Sequence, residues 1–185
     1  MRFLLVNGFE DAEHPVTRRV VEVLGSSGHT VAVVNTAAEG FDRPMSTEER
    51  LVYHEEGRNI VAPEVRESVA LVRDCEAMVF CYPTVADNPI HPVKNWLDRV
   101  LLLGVAFRFN AREKVRPGLT HVRRLGVVTT INDRSGHTDP PGEAGRRTIL
   151  RTLRFNCALT CRRRFVPLWA EDPDLDCIDR ELSSW

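Results

Sequence analysis

Residues Phe80–Phe107 read F-C-Y-P-T-V-A-D-N-P-I-H-P-V-K-N-W-L-D-R-V-L-L-L-G-V-A-F. Ala77–Tyr82 is a continuous apolar run, which predicts a buried strand. Pro83–Asn88 breaks it into a loop. Pro92–Leu103 then carries Val93, Trp96, Leu97 and Val100 at helical spacing. A loop between the carboxyl end of a strand and a helix is where open α/β sheets hold their ligands.

The same alternation extends in both directions. Arg2–Val6 predicts the first strand, and residues 7–14 a polar loop. Pro15–Leu24 predicts a helix with Val20, Val21 and Leu24 inward, and Thr30–Asn35 a second strand. Residues 37–62 form a longer connection, in which Ser46 or Thr47 caps a short helix. Pro63–Arg73 places Val65, Val69 and Val72 on one stripe. Downstream, Val122–Thr130 and Arg164–Leu168 predict the fourth and fifth strands. Gly142–Phe155 predicts a helix with Ile149, Leu150 and Leu153 inward, and Leu175, Ile178 and Leu182 a short last helix. Five strands alternating with helices predict an α/β fold, a doubly wound five-stranded parallel sheet of the flavodoxin-like order with helices on both faces. The expectation is one domain over residues 1–185, with 171–185 as a carboxyl-terminal tail. Ser135–Gly145 is a loop rather than a linker.

The chain has 185 residues, enough for one well-buried core. Its net charge of −1 argues against a broad surface for nucleic acid or acidic membrane. No apolar run reaches the length of a membrane span. M-R-F-L-L-V-N-G is too short and too early for a signal peptide, so the expected location is cytoplasmic. The five cysteines argue against a disulfide framework. Cys157 and Cys161 are buried thiols rather than half of a zinc site.

Lys94-Asn95-Trp96-Leu97-Asp98-Arg99-Val100 followed by Gly104-Val105-Ala106-Phe107 resembles the flavodoxin-like NAD(P)H:quinone oxidoreductases, a family that includes the ancillary subunits of potassium-efflux systems. Glu39-Gly40-Phe41-Asp42, Ser46-Thr47-Glu48-Glu49-Arg50 and Thr129-Thr130 support the resemblance, which covers about residues 2–170. It implies FMN or FAD at the carboxyl ends of the strands and NAD(P)H as hydride donor. It also implies a quinone or related aromatic electrophile as acceptor, and a homodimer.

Three loops are implied as flavin contacts. The first ends at a helix N-terminus, where free N–H groups favour an anion. The family there carries His-Pro and then Ser and Asn; this chain has Gly8-Phe9, then His14 and Thr17, with Glu10, Asp11 and Glu13 nearby. The second is Pro83, Thr84, Val85, Ala86, Asp87 and Asn88, with Val85, Ala86 and Asp87 in place of the family's aromatic side chains. The third is Thr129, Thr130, Ile131 and Asn132, where the family prefers Thr-Thr-Gly-Gly.

His137 lies near where many members carry a hydrogen-bonding tyrosine. With a pKa near neutrality it can donate or accept a proton, and is the candidate catalytic residue; the alternative is a solvated loop histidine. Thr84 could donate a hydrogen bond to the ring, or simply cap its loop. One of Thr129 and Thr130 is expected to face the core and the other the ligand crevice. Trp96 is expected in the core, Asp98 and Arg99 in an ion pair or at a dimer partner, and Arg162–Arg164 along a solvated strand edge. A second function stays open on the same crevice: Glu10, Glu13, His14, Asp87, His91, Asp133 and His137 could carry non-redox acid–base chemistry without flavin. A third is a regulatory subunit that docks on a transporter or partner enzyme.

Overall fold

The computed structural model describes residues 1–85, 88–89, 91–132 and 143–185, with the backbone alone at 85, 88, 89, 143 and 144. Its main sheet has the order β2 (Thr30–Asn35), β1 (Arg2–Asn7), β3 (Ala77–Val85), β7 (Arg124–Ile131), β8 (Arg162–Trp169), every neighbour parallel. The chain first builds outward from β1 to β2. It then crosses back over β1 to β3 and continues to β7 and β8. The direction reverses between β1 and β3, so their carboxyl tips flank the topological switch point.

Alternate residues of the central strands feed two cores. Leu4, Val6, Met78, Phe80 and Tyr82 face α3 (Pro63–Asp74) and α4 (His91–Val100), where they meet Val69, Val72, Trp96 and Val100. Phe3, Leu5, Val79 and Cys81 face the other way. There they meet Val16, Val20 and Leu24 of α1 (Pro15–Ser26) and Ile178 and Leu182 of α6 (Leu175–Leu182). Arg19 and Asp179 pair between α1 and α6. Trp96 is fully buried and donates its Nε1 hydrogen to Ser68 Oγ at 3.1 Å.

Several boundaries differ from those expected. β3 does not end at Tyr82: Pro83, Thr84 and Val85 continue the strand, and β4 (Asn88–Pro89) returns antiparallel to it. Pro83 is tolerated because it faces the side where β1 has already ended at the register Asn7↔Cys81, so its missing N–H costs no ladder bond. The helix expected over 142–155 is a short α5 (Glu143–Arg146), a π turn (Arg147–Thr152) and a 3-10 turn (Leu153–Asn156); Ile149, Leu150 and Leu153 still point inward. A two-stranded hairpin, β5 (Phe107–Phe109) and β6 (Val115–Pro117), was not legible in the sequence. β8 lies at the edge of the sheet, where exposed Arg162 and Arg163 and a proline at 167 discourage further pairing.

The long connection after β2 is anchored to α4 by one buried guanidinium. Arg99 donates from Nε to Glu49 Oε1 at 2.8 Å, from Nη2 to Glu64 Oε1 at 2.6 Å and from Nη1 to the Gly40 carbonyl at 2.9 Å. Its partner Glu49 belongs to α2 (Thr47–Leu51), and forms with Ser46 the reciprocal cap of that helix. The expected Asp98–Arg99 pair is not formed: on a helix, adjacent side chains diverge, and Asp98 instead meets Lys94 one turn earlier at 2.6 Å. No helix among the described residues is long and apolar enough to cross a membrane.

Candidate functional site

At the tip of β1 the buried Asn7 organises the first loop. Its Oδ1 accepts from the Phe9 N–H at 3.1 Å and from Thr17 Oγ1 at 2.8 Å; its Nδ2 donates to Asn35 Oδ1 at 2.9 Å. Thr17 is therefore buried and turned toward β1 rather than outward. His14 caps α1 by accepting from the Val16 N–H on Nδ1, at 3.3 Å. Its ring lies parallel to that of buried Phe9, with centroids 3.7 Å apart. Burial lowers the His14 pKa, partly opposed by the nearby Asp11 carboxylate. The cap is thus a neutral imidazole, with Glu10, Asp11 and Glu13 exposed around it.

Gly8 continues the closure. Its N–H donates to the Cys81 carbonyl at 2.7 Å, and a Cβ at this position would lie 2.3 Å from Val93 Cγ2 and 2.9 Å from Tyr82 Cβ. Only glycine lets the chain leave β1 this close to β3 and α4.

The tips of β3 and β7 are joined by hydroxyls. Thr129 Oγ1 donates to the Tyr82 carbonyl at 2.7 Å and lies 2.7 Å from Thr84 Oγ1. A carbonyl only accepts, so the Thr129 proton goes to Tyr82 and the Thr84 proton to Thr129. Thr84 cannot then donate to a ring in the crevice, contrary to expectation. Thr129 and Thr130 are both buried and, as neighbours on β7, lie on opposite faces of the sheet, Thr129 on the face of Val127 and Thr130 on that of Val128. Ile131 is buried too, and only Asn132 of this segment is exposed. Pro83 is half-buried and Val85 continues β3 in its backbone. Ala86, Asp87 and His137 lie outside the described residues, as does Asp133.

Sequence reasoning missed Asn7, Phe9 and Tyr82. A lone Asn closing an apolar strand was the available signal for the first. Tyr82 Oη is buried with no hydrogen-bond partner among the described residues, and burial raises its pKa, leaving a protonated hydroxyl beneath α4. Beside the rim, a hollow of about 520 Å³ is lined by Met45, Arg50, Tyr53, His91, Lys94 and Asp98. His91 is exposed at the start of α4. Cys157 and Cys161 are buried thiols, and no group of metal-ligating side chains occurs among the described residues.

The sequence pattern of the family described as Flavodoxin-like fold matches residues 1–172, and the chain belongs to that family. No curated protein sequence matches the chain significantly. Among solved structures, an NAD(P)H:quinone oxidoreductase from Methanothermobacter marburgensis has 18% identity and a TM-score of 0.74, over 100% of this chain and 94% of that one. The protein Smu.1420 from Streptococcus mutans has 16% identity and a TM-score of 0.74, over 100% of both chains. An FMN-dependent NADH-azoreductase from Bacillus anthracis, in complex with FMN, has 16% identity and a TM-score of 0.68, over 99% of this chain and 96% of that one. At these identities the likeness establishes the fold.

The described residues test a flavin unevenly. At the start of α1 they do not fit its phosphate. Thr17 Oγ1 and the Val16 N–H are already bonded, the capping imidazole is neutral, and three exposed carboxylates surround the position. At the tips of β3 and β7 the Thr84 hydroxyl is likewise already bonded and Thr130 is buried, so what the described rim offers a flavin is backbone and the exposed Asn132.

Proposed function

We propose that the chain is a flavin-dependent NAD(P)H oxidoreductase that reduces a quinone or related aromatic electrophile by two electrons. The observation carrying this reading is the conjunction of family membership over residues 1–172 with a topological switch point at which the β3 and β7 tips are tied together by buried hydroxyls. The similar structures, an NAD(P)H:quinone oxidoreductase and an FMN-dependent azoreductase, support the same class. When bound, the flavin, FMN or FAD, would carry the hydride; the protein supplies orientation and electrostatics.

In this reading Pro83, Thr84, Val85, Thr130 and Asn132 border the ring. The Thr84–Thr129–Tyr82 chain of hydrogen bonds fixes the spacing of the two strand tips. His14 and Thr17 hold the first loop shut instead of gripping phosphate. Arg50, His91 and Lys94 place positive charge and hydrogen-bond donors beside the rim, where the phosphates of NAD(P)H would approach. Ala86 and Asp87 complete the second loop, and His137 is the proposed proton donor. A homodimer and a cytoplasmic location belong to the same proposal. A specific observation, the closed first loop, favours a second reading in which the crevice works without flavin.

The test is purified full-length protein mixed with flavin, NADH or NADPH, and a benzoquinone. Flavin-dependent oxidation of the nicotinamide supports the proposal, and a His137→Gln variant with reduced turnover supports the proton role. Failure to take up FMN, FAD or riboflavin supports the second reading.

A further inference from the structure

The net charge of −1 is the sum of two opposed regions. Residues 108–164 hold fourteen Lys and Arg against four Asp and Glu; the rest of the chain holds eleven against twenty-two. The fold gathers part of the basic region at the end of the sheet opposite the candidate site, where β7 and β8 begin. There β6 packs on the 3-10 turn. The Leu119 N–H donates to the Asn156 carbonyl at 2.8 Å, and Arg162 N–H donates to the Arg123 carbonyl at 2.9 Å. Arg154 donates to the Leu159 carbonyl and fixes the loop before β8. Arg112, Lys114, Arg116, Arg123 and Arg162 are all exposed.

Apolar side chains share this end. Six large hydrophobic side chains are exposed among the described residues. Four of them lie here: Phe109, Val115, Phe155 at 72% and Leu159 at 91%. Single exposed hydrophobics are ordinary. Four set among cations are not, when the segments 108–116 and 151–163 contain one carboxylate, Glu113, and the nearby Asp74 and Glu76 are paired with Arg2.

Three kinds of partner could meet such a surface, and two fit poorly. A nucleic acid would satisfy the guanidiniums but leave Leu159 in water. A second copy across a twofold axis would set arginine against arginine. An anionic bilayer satisfies both features: phosphate and carboxylate headgroups meet the cations, and the apolar tips reach below them. We propose that this end of the molecule, the β5–β6 hairpin together with the 3-10 turn and the loop 157–161, docks the protein on an anionic lipid surface. The docking is peripheral, and leaves the rim of the candidate site at the opposite end of the sheet.

The experiment is co-sedimentation of the full chain with vesicles of phosphatidylcholine alone, and with vesicles of equal parts phosphatidylcholine and phosphatidylglycerol. Binding is expected to the mixed vesicles only, and to weaken as salt rises. Arg112→Glu with Lys114→Glu should weaken partition by about fivefold for each cation lost. Phe155→Ser with Leu159→Ser should weaken it by about tenfold for each side chain while leaving the net charge unchanged. These are surface changes, and circular dichroism with thermal melting checks that each variant is folded. Equal binding to both vesicles, no binding to either, or binding unchanged by Phe155→Ser with Leu159→Ser overturns the proposal. So does a wild-type dimer, seen by analytical ultracentrifugation, that this apolar pair of substitutions dissociates, because the face would then join two copies of the chain.

Discussion

The hydroxyl of Thr17 donates to Asn7 Oδ1 across 2.8 Å, joining the first turn of α1 to the tip of β1 at the position where an anion would otherwise be held. Both residues are buried. Thr17→Val keeps the shape and removes the donor, while Asn7 Oδ1 retains the Phe9 N–H. The expected cost is about 1 kcal/mol of stability. Urea denaturation checks it; a variant as stable as the wild type would show that this bond does not hold the loop.

His14 gives the same loop a pH dependence. Burial, its largest influence, places its folded pKa below the ordinary 6.5. The unfolded chain therefore binds the proton more readily, and acid favours unfolding of this segment. The stability contributed by the neutral cap is fully present above 6.5 and is lost as pH falls through the lower folded value. An NMR titration of the His14 ring should give a midpoint below 6.5; a midpoint above it would contradict the neutral, stacked cap.

Arg99 and Glu49 are buried together, with their side chains only 5% and 6% exposed. Burial alone would raise the Glu49 pKa, but the Ser46 N–H and the Arg99 guanidinium outweigh it and hold the carboxyl below its ordinary value. Arg99→Met removes the partner and leaves Glu49 uncompensated, for an expected loss of about 3–5 kcal/mol. Chemical denaturation reads the loss. It should shrink at low pH, where Glu49 is protonated and no longer needs a cation. A small effect at neutral pH would mean that α2 is held to α4 by something else.

The architecture was legible because its signals are local and redundant. Apolar runs such as Leu4–Val6 and Met78–Phe80 mark strands covered on both faces, and Val65, Val69 and Val72 mark a helix with one buried stripe. The site was less legible because its geometry depends on contacts distant in sequence. Nothing around Thr84 announces that its proton goes to Thr129, 45 residues away, or that Thr17 turns to Asn7 rather than to solvent. The β5–β6 hairpin escaped for a different reason: its strands are three residues each, too short for a period to show. The whole-chain net charge hid the segregation of basic residues into 108–164, because opposite regions cancel in a sum.

The central claim is that a flavin at this rim is held from the tips of β3 and β7, with no phosphate grip at α1. Parallel fluorescence titrations with FMN and riboflavin test it most directly, because the two ligands share a ring and differ in the phosphate. Dissociation constants within about threefold of one another are expected, since a well-built anion site would separate them by far more. FMN binding a hundredfold or more tighter than riboflavin would contradict it, and would show that the start of α1 opens to receive a phosphate after all.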